Sequence, residues 1–274
     1  IYYCTMISFA NAKINIGLNI TAKRADGYHE LQTIFYPFSV YDIIEIHASE
    51  LPTALTITGM DLPADESNLC LKAYRLLAED YTLPRINIQL HKQIPFGAGL
   101  GGGSSDAAVV LKMLNEKFQL SLTDQHLEEY AAKLGADCPF FIRDAPMYGT
   151  GTGTTLQGID LDLSDKFIVL VKPDIHISTQ QAYAGVRPNV PEKALNDLIK
   201  LPIQEWKFHV KNDFEDSLFE LYPVIGQLKL ALYEHGALYA SMSGSGSSVY
   251  GIFDRKIDLD IPASLGRIYY PVTL

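Results

Sequence analysis

Three cysteines, Cys4, Cys70 and Cys138, are scattered over 274 residues, with no C-x-x-C spacing. That excludes a disulfide framework and a cysteine zinc site, and it fits a protein kept in a reducing cytoplasm. The seven histidines show no H-E-x-x-H or comparable spacing, so a histidine metal site of that kind is not expected. No run approaches the roughly 18 apolar residues of a membrane-spanning helix. Basic residues are the minority, 22 Lys and Arg against 32 Asp and Glu, for a net charge of −10. A nucleic-acid-binding face needs a basic patch, and this balance argues against one. Ile1-Tyr2-Tyr3-Cys4-Thr5 has neither the charged nor the apolar region of a signal peptide, and Met6 is read as a natural start behind an upstream remnant. There is no internal repeat and no low-complexity tract.

What remains is a chain with 47% apolar residues, long enough for one large domain or two smaller ones. Ile14, Ile16, Leu18 and Ile20 alternate with Lys13, Asn15, Gly17 and Asn19, which predicts a strand with one buried and one polar face. Strands are also expected at 40–48, 55–58 and 86–93. A helix over 67–81 would place Leu69, Ala73, Leu76 and Leu77 on one stripe. Two more helices are expected at 105–118 and 123–134, with Gly135 closing the second. A Gly/Thr-rich stretch at 149–153 reads as a turn or hinge near a domain boundary. Beyond it come a strand at 167–171, helical segments near 179–185, 192–201 and 218–235, two strands flanking Ser243, and a last strand near 267–270. Strands followed by helices give an α+β class rather than a doubly wound sheet.

The most informative stretch is Pro95-Phe96-Gly97-Ala98-Gly99-Leu100-Gly101-Gly102-Gly103-Ser104-Ser105-Asp106, with five glycines in seven residues. A loop nearly bare of side chains lets its N–H groups converge on a small anion. Ser-Ser-Asp are N-cap residue types, and an apolar segment follows. A bare loop feeding a helix N-terminus suits phosphate. Three familiar phosphate loops fail. The dinucleotide pattern G-x-G-x-x-G is met formally, but the acidic residue about 20 positions on, Asp124, lies at the start of a second helix. The P-loop lysine is replaced by Gly103, and no H-R-D or D-F-G occurs.

Other residues carry possible chemistry. Lys13 and Asn15, two apart on a strand, leave the same face. Asp137 sits in Leu134-Gly135-Ala136-Asp137-Cys138-Pro139-Phe140-Phe141, an apolar setting in which a carboxylate needs a partner. Lys13 would supply one. Ser243-Gly244-Ser245-Gly246-Ser247-Ser248 is a second small-residue loop, either a simple hairpin or a clasp on the same ligand. Arg24-Ala25-Asp26-Gly27-Tyr28-His29 joins an Asp-Gly turn to an aromatic and a histidine that can stack on and hydrogen-bond a flat base.

Together these residues resemble the GHMP kinase superfamily. Asn11-Ala12-Lys13-Ile14-Asn15 is similar to its first motif, Pro95 through Ser105 to its glycine-rich motif, and the Ser243 loop to its third. Arg24 through His29 narrows the resemblance to the branch acting on a cytidylyl sugar alcohol, and the likeness runs from Phe9 to about Phe253. The resemblance implies a two-domain α+β GHMP kinase fold, with a ribosomal-protein-S5-like N-terminal domain at 1–155 that binds ATP. It implies a ferredoxin-like C-terminal domain at 156–274, with the substrate site at the interface. It implies ATP-dependent phosphorylation of the 2-hydroxyl of 4-diphosphocytidyl-2-C-methyl-D-erythritol in the non-mevalonate route to isoprenoid precursors.

Carried over by position, Asp137 is the base, and Lys13 orients the hydroxyl and stabilises the transferring phosphoryl. Mg²⁺ would bridge the phosphates, with Ser104 or Ser105 offering a hydroxyl. Tyr28, His29 and Tyr183 would contact the cytosine, Tyr183 where the superfamily branch often has Phe. Asn15, Ser243, Gly244 and Ser245 fall on the substrate side, and Asn68 and Lys92 near the nucleotide. Two alternatives stand beside this reading. One is a homoserine- or mevalonate-type small-alcohol kinase, which would have no need of a base-recognition turn. The other is a non-catalytic ATP-binding regulator, which would be expected to have lost Lys13 or Asp137. Oligomeric state and metal ligands are left open.

Overall fold

A computed structural model describes residues 5–273. Of the first five residues, on which the expectation of an upstream remnant falls, Ile1–Cys4 lie outside the described residues. The order of elements is α+β: strands β1 (Met6–Lys23), β2 (His29–Ala48) and β3 (Ala54–Thr58), helix α1 (Leu69–Asp80), β4 (Ile86–His91), then helices α2 (Gly102–Lys117), α3 (Asp124–Leu134) and α4 (Cys138–Arg143). There follow β5 (Met147–Thr150), β6 (Thr155–Gly158), β7 (Phe167–Lys172), α5 (Thr179–Ala184), α6 (Leu195–Leu198), α7 (Ile203–His209), α8 (Phe214–Leu221), α9 (Pro223–Glu234), β8 (Tyr239–Met242), β9 (Val249–Phe253) and β10 (Arg267–Tyr269).

The chain divides into two compact units that are not consecutive stretches. The first takes the residues up to Ala12, Val40–Phe96 and Gly101–Ala145; the second takes Lys13–Ser39, Gly97–Leu100 and Pro146 onward. Strands β1 and β2 each pass from one unit into the other.

In the first unit, β4 pairs antiparallel with the C-terminal half of β2, from Ile43↔His91 to Ala48↔Ile86, and parallel with β3. Helices α1, α3 and α4 pack around α2, whose Ala107, Ala108, Val110, Leu111 and Leu114 are fully buried. In the second unit, the N-terminal half of β2 pairs with β5 and β5 with β6. A separate sheet runs β10-β7-β9-β8, antiparallel throughout. Its core includes Val169, Val171, Leu228, Leu232, Ala240, Met242 and Val249 beneath α8 and α9.

Several boundaries differ from the sequence reading. Helix α2 starts at Gly102, not at the Ser-Ser-Asp run, because Gly101, at φ 70°, turns the chain into the helix by backbone alone. Ser105 and Asp106 then lie inside the helix, and both are buried. Of the two readings of the 149–153 stretch, turn and hinge, the structure shows the turn: it closes the β5–β6 hairpin, with Thr150 opposite Thr155. The helical stretch expected over 218–235 is two helices, since Pro223 cannot continue α8 but opens α9 well. Helices α4 and α7 escaped notice because 6 and 7 residues are too few to show a period.

Candidate active site

The glycine stretch is tied down at both ends within the first unit. Its entry, Gln93 and Ile94, donates two backbone N–H bonds to Asp42 Oδ1, at 2.6 and 2.9 Å. The other oxygen of Asp42 accepts from Lys92 Nζ. That ammonium also donates to Asp106 Oδ2 at 2.6 Å, on α2 just past the glycines. Asp42, Lys92 and Asp106 are all at most 5% exposed. Two carboxylates around one ammonium leave the cluster with excess negative charge. Burial pushes the Asp106 carboxyl up to about 7, the Lys92 charge opposes this, and Asp42 adds to it. Burial works against the Lys92 ammonium, but the Asp106 and Asp42 carboxylates outweigh it and raise its pKa. The two upward shifts agree: the ammonium keeps its proton, and Asp106, with no donor reaching its Oδ1, is the carboxyl driven toward a second one.

The first intrahelical bond of α2 runs from Ser105 N to Gly101 O. The N–H groups of Gly102, Gly103 and Ser104 therefore lie ahead of the helix ladder at its positive end. Ser104 hydrogen-bonds the Cys138 thiol, whose pKa burial pushes up to about 11. Asp137, the residue before Cys138, holds the N-cap position of α4 and is half-buried. The carboxylate expected to act as base thus stands beside the first turn of α2. Ser105 Oγ is buried without a hydrogen-bond partner among the described residues. Asn68 caps α1, accepting from Cys70 N at 2.9 Å.

The second unit holds the tip of the glycine stretch and the polar face of β1. Lys13 N donates to Leu100 O at 3.0 Å, which fastens the tip to β1. Lys13 Nζ donates to Gly99 O at 3.0 Å and to Asn15 Oδ1 at 2.6 Å. It lies 5.4 Å from the centre of the Phe35 ring. The Ser243 loop meets the same tip, with Ser243 Oγ donating to Gly99 O at 3.0 Å. Gly99 is required here, since a Cβ would sit 2.1 Å from Ser243 O and the backbone is at φ +76°. So Lys13, Asn15, Gly99, Ser243 and Gly244 come together in the second unit.

Sequence reasoning missed the residue that shapes the Ser243 loop. Asn212, fully buried, donates to Met242 O at 2.9 Å and to Gly244 O at 2.8 Å. Its one visible signal is its place in the polar run Lys211-Asn212-Asp213, which reads from sequence as an ordinary loop.

The 24–29 turn is built by its own charges. Arg24 N donates to Tyr28 O at 2.8 Å, and the Arg24 guanidinium grips Asp26 and Glu30. The Tyr28 N–H bond holds the Asp26 carboxyl below its usual range, while Glu30 and Asp26 raise Arg24. Tyr28 is 66% exposed. The rings of His29 and Tyr183 stack, with centroids 4.7 Å apart, and Phe214 meets Tyr183 edge-on. Of the three expected base contacts, two are therefore already paired and the third is displayed.

No group of three or more His, Cys, Asp and Glu among the described residues is arranged to hold a metal ion. No helix among them is long and apolar enough to cross a membrane.

A bare glycine loop that feeds a helix N-terminus and has a lysine fastened to its tip is equipment of a phosphoryl-transfer enzyme. The GHMP kinases N terminal domain matches residues 68–144 and the GHMP kinases C terminal domain residues 194–261, which makes the chain a kinase of that class. The chain is 53% identical over 253 residues to the 4-diphosphocytidyl-2-C-methyl-D-erythritol kinase of Bacteroides thetaiotaomicron, covering 91% of this chain and 92% of that one. A crystal structure of 4-(cytidine 5'-diphospho)-2C-methyl-D-erythritol kinase superposes with a TM-score of 0.77 at 31% identity, over 97% of this chain and 98% of the other. Homoserine kinase from Cytophaga hutchinsonii, at 17% identity and TM-score 0.63 over 92% and 87% of the two chains, shares the fold. The chain belongs to the 4-diphosphocytidyl-2-C-methyl-D-erythritol kinase family.

Proposed function

We propose that this kinase transfers the γ-phosphoryl group of ATP to the 2-hydroxyl of 4-diphosphocytidyl-2-C-methyl-D-erythritol, a step toward isoprenoid precursors. The observation that carries the reading is the Lys13 ammonium held on the glycine tip by Asn15 Oδ1 and Gly99 O. A cation fixed there lies where negative charge gathers during phosphoryl transfer, without reorganising at the moment of reaction.

The remaining roles follow from position. Residues 95–105 and the first-turn N–H groups of α2 cradle the triphosphate, and Asn68 borders the nucleotide. Lys92 serves it indirectly, because both neighbours of its ammonium are carboxylates of the protein. Asp137 accepts the proton of the 2-hydroxyl. Tyr28 covers one face of the cytosine and the His29–Tyr183 pair provides the edge and the opposite wall. Ser243, Gly244 and Ser245 line the alcohol. The Ser104 hydroxyl, half-buried in the first turn of α2, suits Mg²⁺, which keeps several waters and takes few protein ligands. Bound to the nucleotide, Mg²⁺ would neutralise phosphate charge. Residues 1–155 and 156–274 are the N- and C-terminal domains in this reading, and the free thiols Cys70 and Cys138 suit a cytoplasmic enzyme.

Asp137→Asn tests the chemistry. It is expected to leave ATP affinity near wild type in calorimetry while lowering turnover by about 10²–10⁴-fold, the loss of a general base. Normal turnover in this variant would remove Asp137 from that role.

A further inference from the structure

The amide of Asn15 faces Lys13 with its oxygen, and a chain of hydrogen bonds explains why. Thr33, on β2 and 1% exposed, places its Oγ1 2.6 Å from Gly17 O and 3.0 Å from Asn15 Nδ2. A backbone carbonyl only accepts, so the Thr33 hydroxyl must spend its one proton on Gly17 O. Its lone pair is then left to accept, and only the NH₂ end of the Asn15 amide can satisfy it. That turns Asn15 Oδ1 toward Lys13 Nζ, 2.6 Å away. Reversed, the amide would set an NH₂ against an ammonium, donor to donor. One fixed carbonyl in β1 therefore sets the polarity of the whole row up to the lysine. The row is buried, with Lys13 and Asn15 at 4% and 2% exposure, so no bulk water competes for these bonds.

We propose that Thr33 is a positioning residue for phosphoryl transfer, fixing the Asn15 amide and through it the Lys13 ammonium. This rests on the role given to Lys13 above. Thr33 touches neither substrate; it acts one residue removed.

The test is a double-mutant cycle on the full-length enzyme, measured below the melting temperature of every variant. Thr33→Val keeps the shape and loses the hydroxyl. It is expected to lower kcat on the order of tenfold, with both KM values within about twofold of wild type. Thr33→Ser keeps the hydroxyl and is expected to restore kcat. In an Asn15→Leu background, Thr33→Val is expected to add nothing. If Thr33→Val does not fold, Thr33→Cys, with its weak thiol donor, takes its place in the same cycle. Unchanged kcat in the Thr33 variant, equal losses for Val and Ser, or effects that multiply with Asn15→Leu would each overturn the proposal. Lys13→Met separates the two levels. If it lowers kcat strongly while Thr33→Val does not, only the relay fails; if Lys13→Met is active, the role of Lys13 fails first.

Discussion

Lys13, on β1, and Lys92, one residue past the end of β4, are both buried next to the glycine loop, yet their contacts give them different work. Lys92 sits between Asp42 and Asp106, and removing it strands two carboxylates in the core. Lys92→Met is therefore expected to cost roughly 3–5 kcal/mol of stability, read as a fall in denaturation midpoint. Lys13 is held on the glycine tip through, among its contacts, the Asn15 amide oxygen and the Gly99 carbonyl. For Lys13→Met the loss should fall on kcat, with a far smaller change in midpoint. Equal destabilisation by both variants would contradict that division.

Asp106 also makes stability depend on pH. Its carboxyl titrates near 7 in the folded protein and near 4 in an unfolded chain. The native state thus holds more protons between those values, and stability falls as pH rises through that window. Asp106→Asn, neutral throughout and still able to accept from Lys92, is expected to flatten the decline in urea titrations from pH 4 to 7. An undiminished slope would place the ionisation elsewhere.

Among the elements, the glycine loop was the most legible and the least completely read. Bare backbone and a following helix were plain from composition. The helix start was not, because Gly101 sets it by a positive φ and glycine carries no cap side chain to announce it. The polar face of β1 was legible from alternation alone. The brace of Asp42, Lys92 and Asp106 was not, because residues 50 and 14 positions apart in the chain meet only after β2, β4 and α2 have assembled. Gly99→Ala tests the close approach directly. A Cβ there meets Ser243 O at 2.1 Å in a left-handed backbone. The expected outcome is at least about tenfold weaker ATP binding, with stability lowered by about 1–3 kcal/mol. Wild-type ATP affinity would show that the loop tip does not shape the phosphate site.

At the scale of the molecule, sequence order conveyed the class but not the partition. Strands before helices gave the α+β class, the motif resemblance gave the kinase fold, and the family comparison bears both out. The compact units interleave because β1 and β2 are each long enough to serve both, a property of strand length that local patterns do not display. The 24–29 turn carried the expectation of a cytidylyl substrate, and its charges fold it so that Tyr28 stands out toward solvent. In the proposed function, this turn, Lys13 and the glycine loop serve one cytidylyl substrate. The most direct test is coupled ADP release with Mg-ATP and 4-diphosphocytidyl-2-C-methyl-D-erythritol, beside homoserine and mevalonate. Release is expected with the cytidylyl alcohol alone, and about 10²–10⁴-fold slower in Asp137→Asn. Release with homoserine or mevalonate, or none with the cytidylyl alcohol, would contradict it.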